Sequence, residues 1–275
     1  MRNRRRARRC ARGAAFTLVE MLAVTVIIGI LMSLLSLAVF SALSMGKEAV
    51  LAFEVRELSS AFEQFKNKYG DYPPADLRNA DDPNSAINQF CRRAFYRYAG
   101  DDAQLKADIL TRLNQLTGAG AADITSFEPA QALVFWLSGF SPDPTQPFTG
   151  AGTYDAYYDF ESARLAEGKF LAPGKNLIAD ANGNNVWDSG ELYKDEKAYL
   201  YIDRRSYGVD YNHNNGVFRA YQGVNANSYQ IICSGLDEDY GTGNITYPAG
   251  PFPGGDKDNL TNFSGGKTLY DATDQ

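Results

Sequence analysis

From Met21 to Gly46 the chain runs for 26 residues without a charged side chain, and Leu, Ile, Val and Ala dominate the run. A bilayer core about 30 Å thick is crossed by roughly 20 apolar residues in a helix, so this segment is long enough to span a membrane. The flanking charge is asymmetric. Residues 1–15 hold seven arginines and no acid, which leaves 20 basic against 33 acidic groups in the rest of the 275-residue chain. Cationic residues stay on the cytoplasmic side, so the amino terminus is expected inside and the acidic body exported. An acidic body also argues against nucleic acid as its partner, because phosphate binding needs a cationic surface.

The apolar run is longer than the roughly 7–15 residues of a cleaved secretory signal, whose small residues follow the run. Here Ala14-Ala15 precede it. A plain anchor accounts for the length but not for Glu20, which stands at its edge. An ionisable group within a span costs about 2.5–3.5 kcal/mol on insertion scales, so it is expected to have a partner. From Glu20 to Gly46 there is no Lys, Arg or His. The partner is therefore expected from another chain or from a newly made amino terminus.

Gly13-Ala14-Ala15-Phe16-Thr17-Leu18-Val19-Glu20-Met21-Leu22 resembles the class III signal of type IV pilins and type II secretion pseudopilins. The resemblance implies that a prepilin peptidase cuts before Phe16, in the context of Gly13 and Ala15, and methylates the new amine of Phe16. It also implies that Glu20 pairs with the amino terminus of a neighbouring subunit. The apolar helix would then form the core of a filament. Ala15 stands where the family has Gly, and Leu37 where many members carry a helix-kinking Pro, so a straighter helix is expected there.

Past Gly46 the pattern becomes amphipathic. Leu51, Val55, Leu58, Phe62, Phe65 and Tyr69 follow spacings of 4, 3, 4, 3 and 4, which is one helical stripe. Lys47, Glu48, Glu54, Arg56, Glu57, Glu63, Lys66 and Lys68 are expected on the solvated face. Gly70 and Pro73-Pro74 end the helix. The stretch from Phe16 to Tyr69 predicts about 80 Å of continuous helix at 1.5 Å per residue. Phe65-Lys66-Asn67-Lys68-Tyr69-Gly70-Asp71-Tyr72-Pro73-Pro74 also resembles the end of the long helix in major pseudopilins.

The domain plan that follows is a leader over 1–15, a long helix over 16–70 with its membrane part at about 18–43, and an exported head over 71–275. Helices are predicted at Ala86–Tyr98, Asp102–Leu116 and Pro129–Leu137, in an inserted region at about 75–150. Runs of strand composition follow at Tyr154–Phe160, Ala198–Ile202, Val217–Tyr221 and Ser228–Cys233. An antiparallel sheet packed on the helix stripe buries both, so the fold class is α+β. Arg92, Arg93 and Arg97 read as a solvated helix face, or as a contact for an acidic partner.

Two acidic segments have ligand-like spacing. Asp180, Asn182, Asn184, Asp188 and Glu191, with the carbonyl of Val186, fall at the places of an EF-hand-type calcium loop. Asn185 takes the place of its usual Gly, and an ordinary Asn/Gly turn is the competing reading. Ser234-Gly235-Leu236-Asp237-Glu238-Asp239, followed by Asp256-Lys257-Asp258-Asn259, resembles the carboxyl-terminal loop that holds calcium in the major pseudopilin. Asp237, Asp239, Asp256 and Asp258 are the candidate ligands, with an ordinary acidic surface loop as the alternative. Asp210, Asn212 and Asn214 read as a turn.

The single histidine, His213, excludes a His-based metal centre and argues against a Ser-His-Asp site. No Gly-rich phosphate loop and no CxxC pair is present, and nothing calls for catalysis. With Cys10 in the leader, Cys91 and Cys233 remain, either as a bridge or as two separately buried thiols. The resemblance implies a structural subunit of a type II secretion pseudopilus in the bacterial inner membrane. Its partners would be copies of itself, the prepilin peptidase, other pseudopilins and an assembly platform. The alternatives are a type IV pilus subunit, for adhesion, motility or DNA uptake, and a membrane-anchored binding protein with the same kind of leader.

Overall fold

The structure is a computed structural model that describes residues 18–117, 129–166, 168–173, 178–179, 185–186, 198–213 and 216–273. Its elements are α1 (Leu18–Tyr69), α2 (Ala86–Ala94), α3 (Asp102–Thr117) and α4 (Pro129–Leu137), then β1 (Leu165–Ala166), β2 (Lys169–Phe170), β3 (Ile178–Ala179), β4 (Asn185–Val186), β5 (Leu200–Asp203), β6 (Tyr211–His213), β7 (Gly216–Phe218), β8 (Tyr229–Cys233), β9 (Leu260–Thr261) and α5 (Leu269–Thr273). The chain divides into two compact units, Met1–Met45 and Gly46–Gln275. The division falls where the uncharged run gives way to the amphipathic stripe.

The first unit is helical from Leu18 and passes Leu37 without a break, as expected where Pro is absent. Its large apolar side chains point outward: Leu18 is 82% exposed, Leu31 60% and Leu35 63%. The hydroxyls of Thr25, Ser33, Ser36 and Ser44 donate to carbonyls three or four residues back, at 2.8–3.0 Å. Such bonds satisfy polar groups within the helix, which is what an apolar solvent requires. α1 is long and apolar enough to cross a membrane.

In the second unit the stripe is buried as its spacing predicts. Leu51, Val55, Leu58, Phe62 and Phe65 are each at most 2% exposed. β8 is the middle strand of an antiparallel sheet ordered β5-β8-β9, with Leu200 opposite Ile232 and Cys233 opposite Leu260. Phe62 stacks on Tyr201 of β5 with ring centroids 4.1 Å apart, and lies 5.3 Å from Tyr229 of β8. One turn on, Phe65 meets helices instead, with Phe90 of α2 at 6.0 Å and Trp136 of α4 at 5.8 Å. The α+β class is thus realised with the predicted helix-on-sheet packing. Burying one such ring is worth about 1.5–3 kcal/mol.

α4 is apolar on nearly every side and buried accordingly, the pattern of a core helix. The indole of Trp136 donates to the carbonyl of Pro74 at 2.8 Å. The inserted helices therefore share one core with α1 and the sheet. Gly70 closes α1 at φ +84°, its N–H donating to the Lys66 carbonyl at 2.7 Å, a left-handed cap suited to glycine.

Four local expectations are corrected. α2 stops at Ala94 rather than Tyr98, because Phe95 leaves helical geometry and turns its ring into the core. Tyr154–Phe160 is not a strand; Asp155 makes one bridge to Phe140, and Tyr157 and Tyr158 donate to the Leu137 carbonyl. Its aromatics pack singly on the core rather than alternating across a ladder. Of Val217–Tyr221, Val217 and Phe218 pair in the separate hairpin β6-β7, and Arg219 then bridges to Gly243. Glu54 is also not solvated. It is 8% exposed, held by Arg164 and Tyr199, with Arg164 Nη2 at 2.7 Å.

Candidate functional site

Two regions bear on function: the first turns of α1 and the carboxyl-terminal acidic loop. Gly13, Ala15 and Phe16 lie outside the described residues. Glu20 lies in the first turn of α1 and is exposed, among exposed Leu18, Val19, Met21 and Leu22. A carboxylate there is favoured by the positive end of the helix dipole. It is the one acid in α1 before Glu48.

Of the first acidic segment, the structure describes Asn185 and Val186, which pair in β4 with β3 so that Val186 lies opposite Ile178. Asp180, Asn182, Asn184, Asp188 and Glu191 lie outside the described residues. Asp210 forms an ion pair with Arg219, and Asn212 belongs to strand β6 rather than a turn; Asn214 lies outside the described residues.

The second segment comes together, but its four carboxylates do not share one site: Asp256 stands apart from the pair Asp237 and Asp258, and Asp239 bonds back to Gly241. Asp256 is 1% exposed, and both its oxygens are taken. Oδ1 accepts from the Tyr221 hydroxyl at 2.7 Å and the Gly243 N–H at 2.9 Å, and Oδ2 from the Thr242 N–H at 2.9 Å. Asn259 completes this knot by donating to Tyr221 and to the Tyr240 carbonyl. Asp256 is therefore a structural tie between the loop and strand β7's extension, with both oxygens already hydrogen-bonded.

Asp237 and Asp258 form the pair. Asp258 Oδ2 accepts from the backbone N–H groups of Leu236 at 2.7 Å and Asp237 at 3.0 Å. Gly235 makes this approach possible: at φ +68°, a Cβ on it would lie 2.4 Å from Asp258 Oδ2. Asp258 Oδ1 is buried and has no hydrogen-bond partner. Burial first, and then the charge of Asp258, push the Asp237 carboxyl up to about 7, against the lowering hydrogen bond from the Asp239 N–H. Asp239 turns its own Oδ1 to the Gly241 N–H at 2.8 Å. Crowded carboxylate oxygens with an unsatisfied buried lone pair fit a hard, oxygen-seeking cation. Among the described residues, no group of three or more His, Cys, Asp or Glu side chains is placed to hold a metal, so backbone or water oxygens would have to complete the shell.

Cys91 and Cys233 are free and buried, the second of the two readings open from sequence. Burial pushes both thiols up, Cys233 to about 12. Of the three arginines near α2, Arg92 pairs with Asp102 at 2.6 Å and Arg93 lies 3.7 Å from Asp71, while the Arg97 guanidinium lies over the ring of Tyr96. His213 ends strand β6. Comparison of the chain with protein-family models, curated proteins and solved structures finds no match.

Proposed function

We propose that this protein is a structural subunit of a prepilin-type filament, nearest in kind to a type II secretion major pseudopilin, and acts without catalysis. The observation that carries the reading is the Phe16-Thr17-Leu18-Val19-Glu20 signature at the head of a long apolar helix that follows an arginine-rich leader. Peptidase cleavage before Phe16 would expose a new amine for the Glu20 carboxylate of a neighbouring copy. In a low-dielectric filament core that pair sets register, since a copy one step out of place leaves a buried carboxylate unmatched. The outward-facing side chains of Leu18–Met45 suit a helix that is held by lipid first and by other such helices later.

The acidic carboxyl-terminal loop favours secretion over a surface pilus. Calcium, when bound, would supply the positive charge that Asp237 and Asp258 lack. The chain's own part is to present Asp258 Oδ1 beside Asp237 and to fix segment 234–239 through the Leu236 and Asp237 N–H groups. Glu20→Ala is expected to leave cleavage intact and to abolish filaments, read by immunoblot and electron microscopy of the same cells. Normal filaments from that variant would remove the pairing role.

A further inference from the structure

The carboxyl-terminal half of α1 has opposite charge at its two ends. Lys68 and Tyr69, at its end, form one side of a cavity of about 380 Å³. Phe95, Phe140 and Pro142 line its apolar wall, and Arg97 stands at its rim. Tyr96, 75% exposed, stands beside it. Further cations gather at the same end, where Arg205 is held by Asp203 at 2.8 Å as well as by Asp71. Asp71 is shared by three guanidinium groups, those of Arg205 at 2.8 Å, Arg204 at 3.4 Å and Arg93 at 3.7 Å. Arg93 is 65% exposed and Arg204 43% along their side chains.

The acidic loop lies at the other end of this half-helix. Gly266 approaches Ala52 and Arg56, and the charges of Asp258 and Asp271 act on Glu48. Arg56 and Lys257, the latter over the ring of Tyr270, are cations at this end. Glu48 and Lys68 are 20 residues apart on one helix, or about 30 Å. At the acidic end Leu236 is 38% exposed, and it is followed by Asp237 and Glu238. Asp155 also lines the cavity and pairs with Lys68 at 3.2 Å, which leaves Arg97 at its rim, and an apolar tip beside Glu238 is the complement of that aromatic, Arg97-rimmed cavity.

From this juxtaposition we infer that the aromatic groove rimmed by Arg97 receives the Leu236–Glu238 tip of a second copy of this chain. Two different surfaces meet, so the contact is head-to-tail and leaves one of each surface free for a further copy, which extends a row of heads rather than stopping at a dimer. It assigns a role to the inserted region, whose residues Phe95 to Arg97 and Phe140 to Pro147 build most of the groove. The inference rests on the filament reading only in requiring that copies meet on one membrane.

The test uses the full chain in its membrane, with Cys10→Ser in every variant. Tyr96→Cys and Leu236→Cys copies are produced separately and together and treated with a mild oxidant. The expected result is a disulfide-linked dimer only when both copies are present. Its yield should fall about tenfold when Arg97→Glu is added to the first copy, by like-charge repulsion. It should return when Glu238→Arg is added to the second. Dimers formed equally well by either copy alone, or a yield indifferent to Arg97→Glu, would overturn the inference. Electron microscopy of the same cells separates the two claims. Filaments without the mixed dimer keep the filament reading and remove this contact. The mixed dimer without filaments keeps the contact and removes the filament.

Discussion

The two parts of α1 are built from the same backbone geometry by different side-chain patterns. Up to Met45 the helix is apolar all round and leaves its side chains exposed; from Gly46 onward it keeps a single apolar stripe and buries it under the sheet and α4. An all-round apolar helix calls for an apolar surrounding from outside the chain, whereas a stripe asks only for the chain's own head. Glu20 and Glu54 sharpen the contrast. Glu54 has its cation, Arg164, and the Tyr199 hydroxyl within the same chain. For Glu20 the proposed partner is the amino terminus of another copy.

The largest expected effect separates these two patterns directly. Phe62→Ala opens a cavity beneath Tyr201 and Tyr229 and should lower the stability of the head by about 3–5 kcal/mol. Leu31→Ala should leave head stability unchanged and impair filament assembly instead. Thermal unfolding of both variants in detergent measures the difference, and equal losses would break the distinction.

The acidic loop predicts a smaller, conditional effect. Calcium at a hundredfold excess over its dissociation constant should stabilise the full-length protein by about 2.7 kcal/mol. Asp258→Asn should abolish that gain without loss in chelator, since it removes a repelling charge next to Asp237. Asp256→Asn should destabilise the protein in chelator as well, because it disturbs the Tyr221, Thr242 and Gly243 hydrogen bonds. Melting curves with and without calcium check all three, and identical behaviour of the two variants would contradict the division of the loop.

The last effect is in pH and appears only in the alkaline range. Cys233 is raised to about 12 by burial, and Tyr199, Tyr201 and Tyr221 are raised well above their ordinary value by the same cause. Unfolded thiols and phenols ionise near about 8.5 and 10, so the stability tied to their neutral forms is complete below those values. It should decline as pH rises through about 9 to 12. Both thiols should resist alkylation at pH 8 until the head unfolds, and rapid labelling of the native protein would show that they are accessible.

Much of this was legible in the chain because it was local. The 4-3-4-3-4 spacing placed the stripe, and Pro129–Leu137 read as a helix with both ends correct. Strands β5 and β8 were visible from their Tyr and Ile content, bounded by turn residues. What failed depended on distant partners. Glu54 looks like a surface residue until Arg164 folds back from 110 positions away. Asp256 and Asp258 look equivalent in sequence, yet one satisfies a knot around Tyr221 and the other retains a partnerless buried oxygen. The aromatic richness of Tyr154–Phe160 served core packing, which composition does not distinguish from a strand.

In the proposed reading, the apolar part of α1 begins, in the mature protein, at a new amino terminus made for assembly. Mass spectrometry of the amino-terminal peptide of the membrane-bound chain tests it most directly. The account predicts a peptide that starts at Phe16 and carries one additional methyl group. An intact arginine-rich leader, in cells with an active prepilin peptidase, would contradict it and leave α1 as a plain anchor for the head.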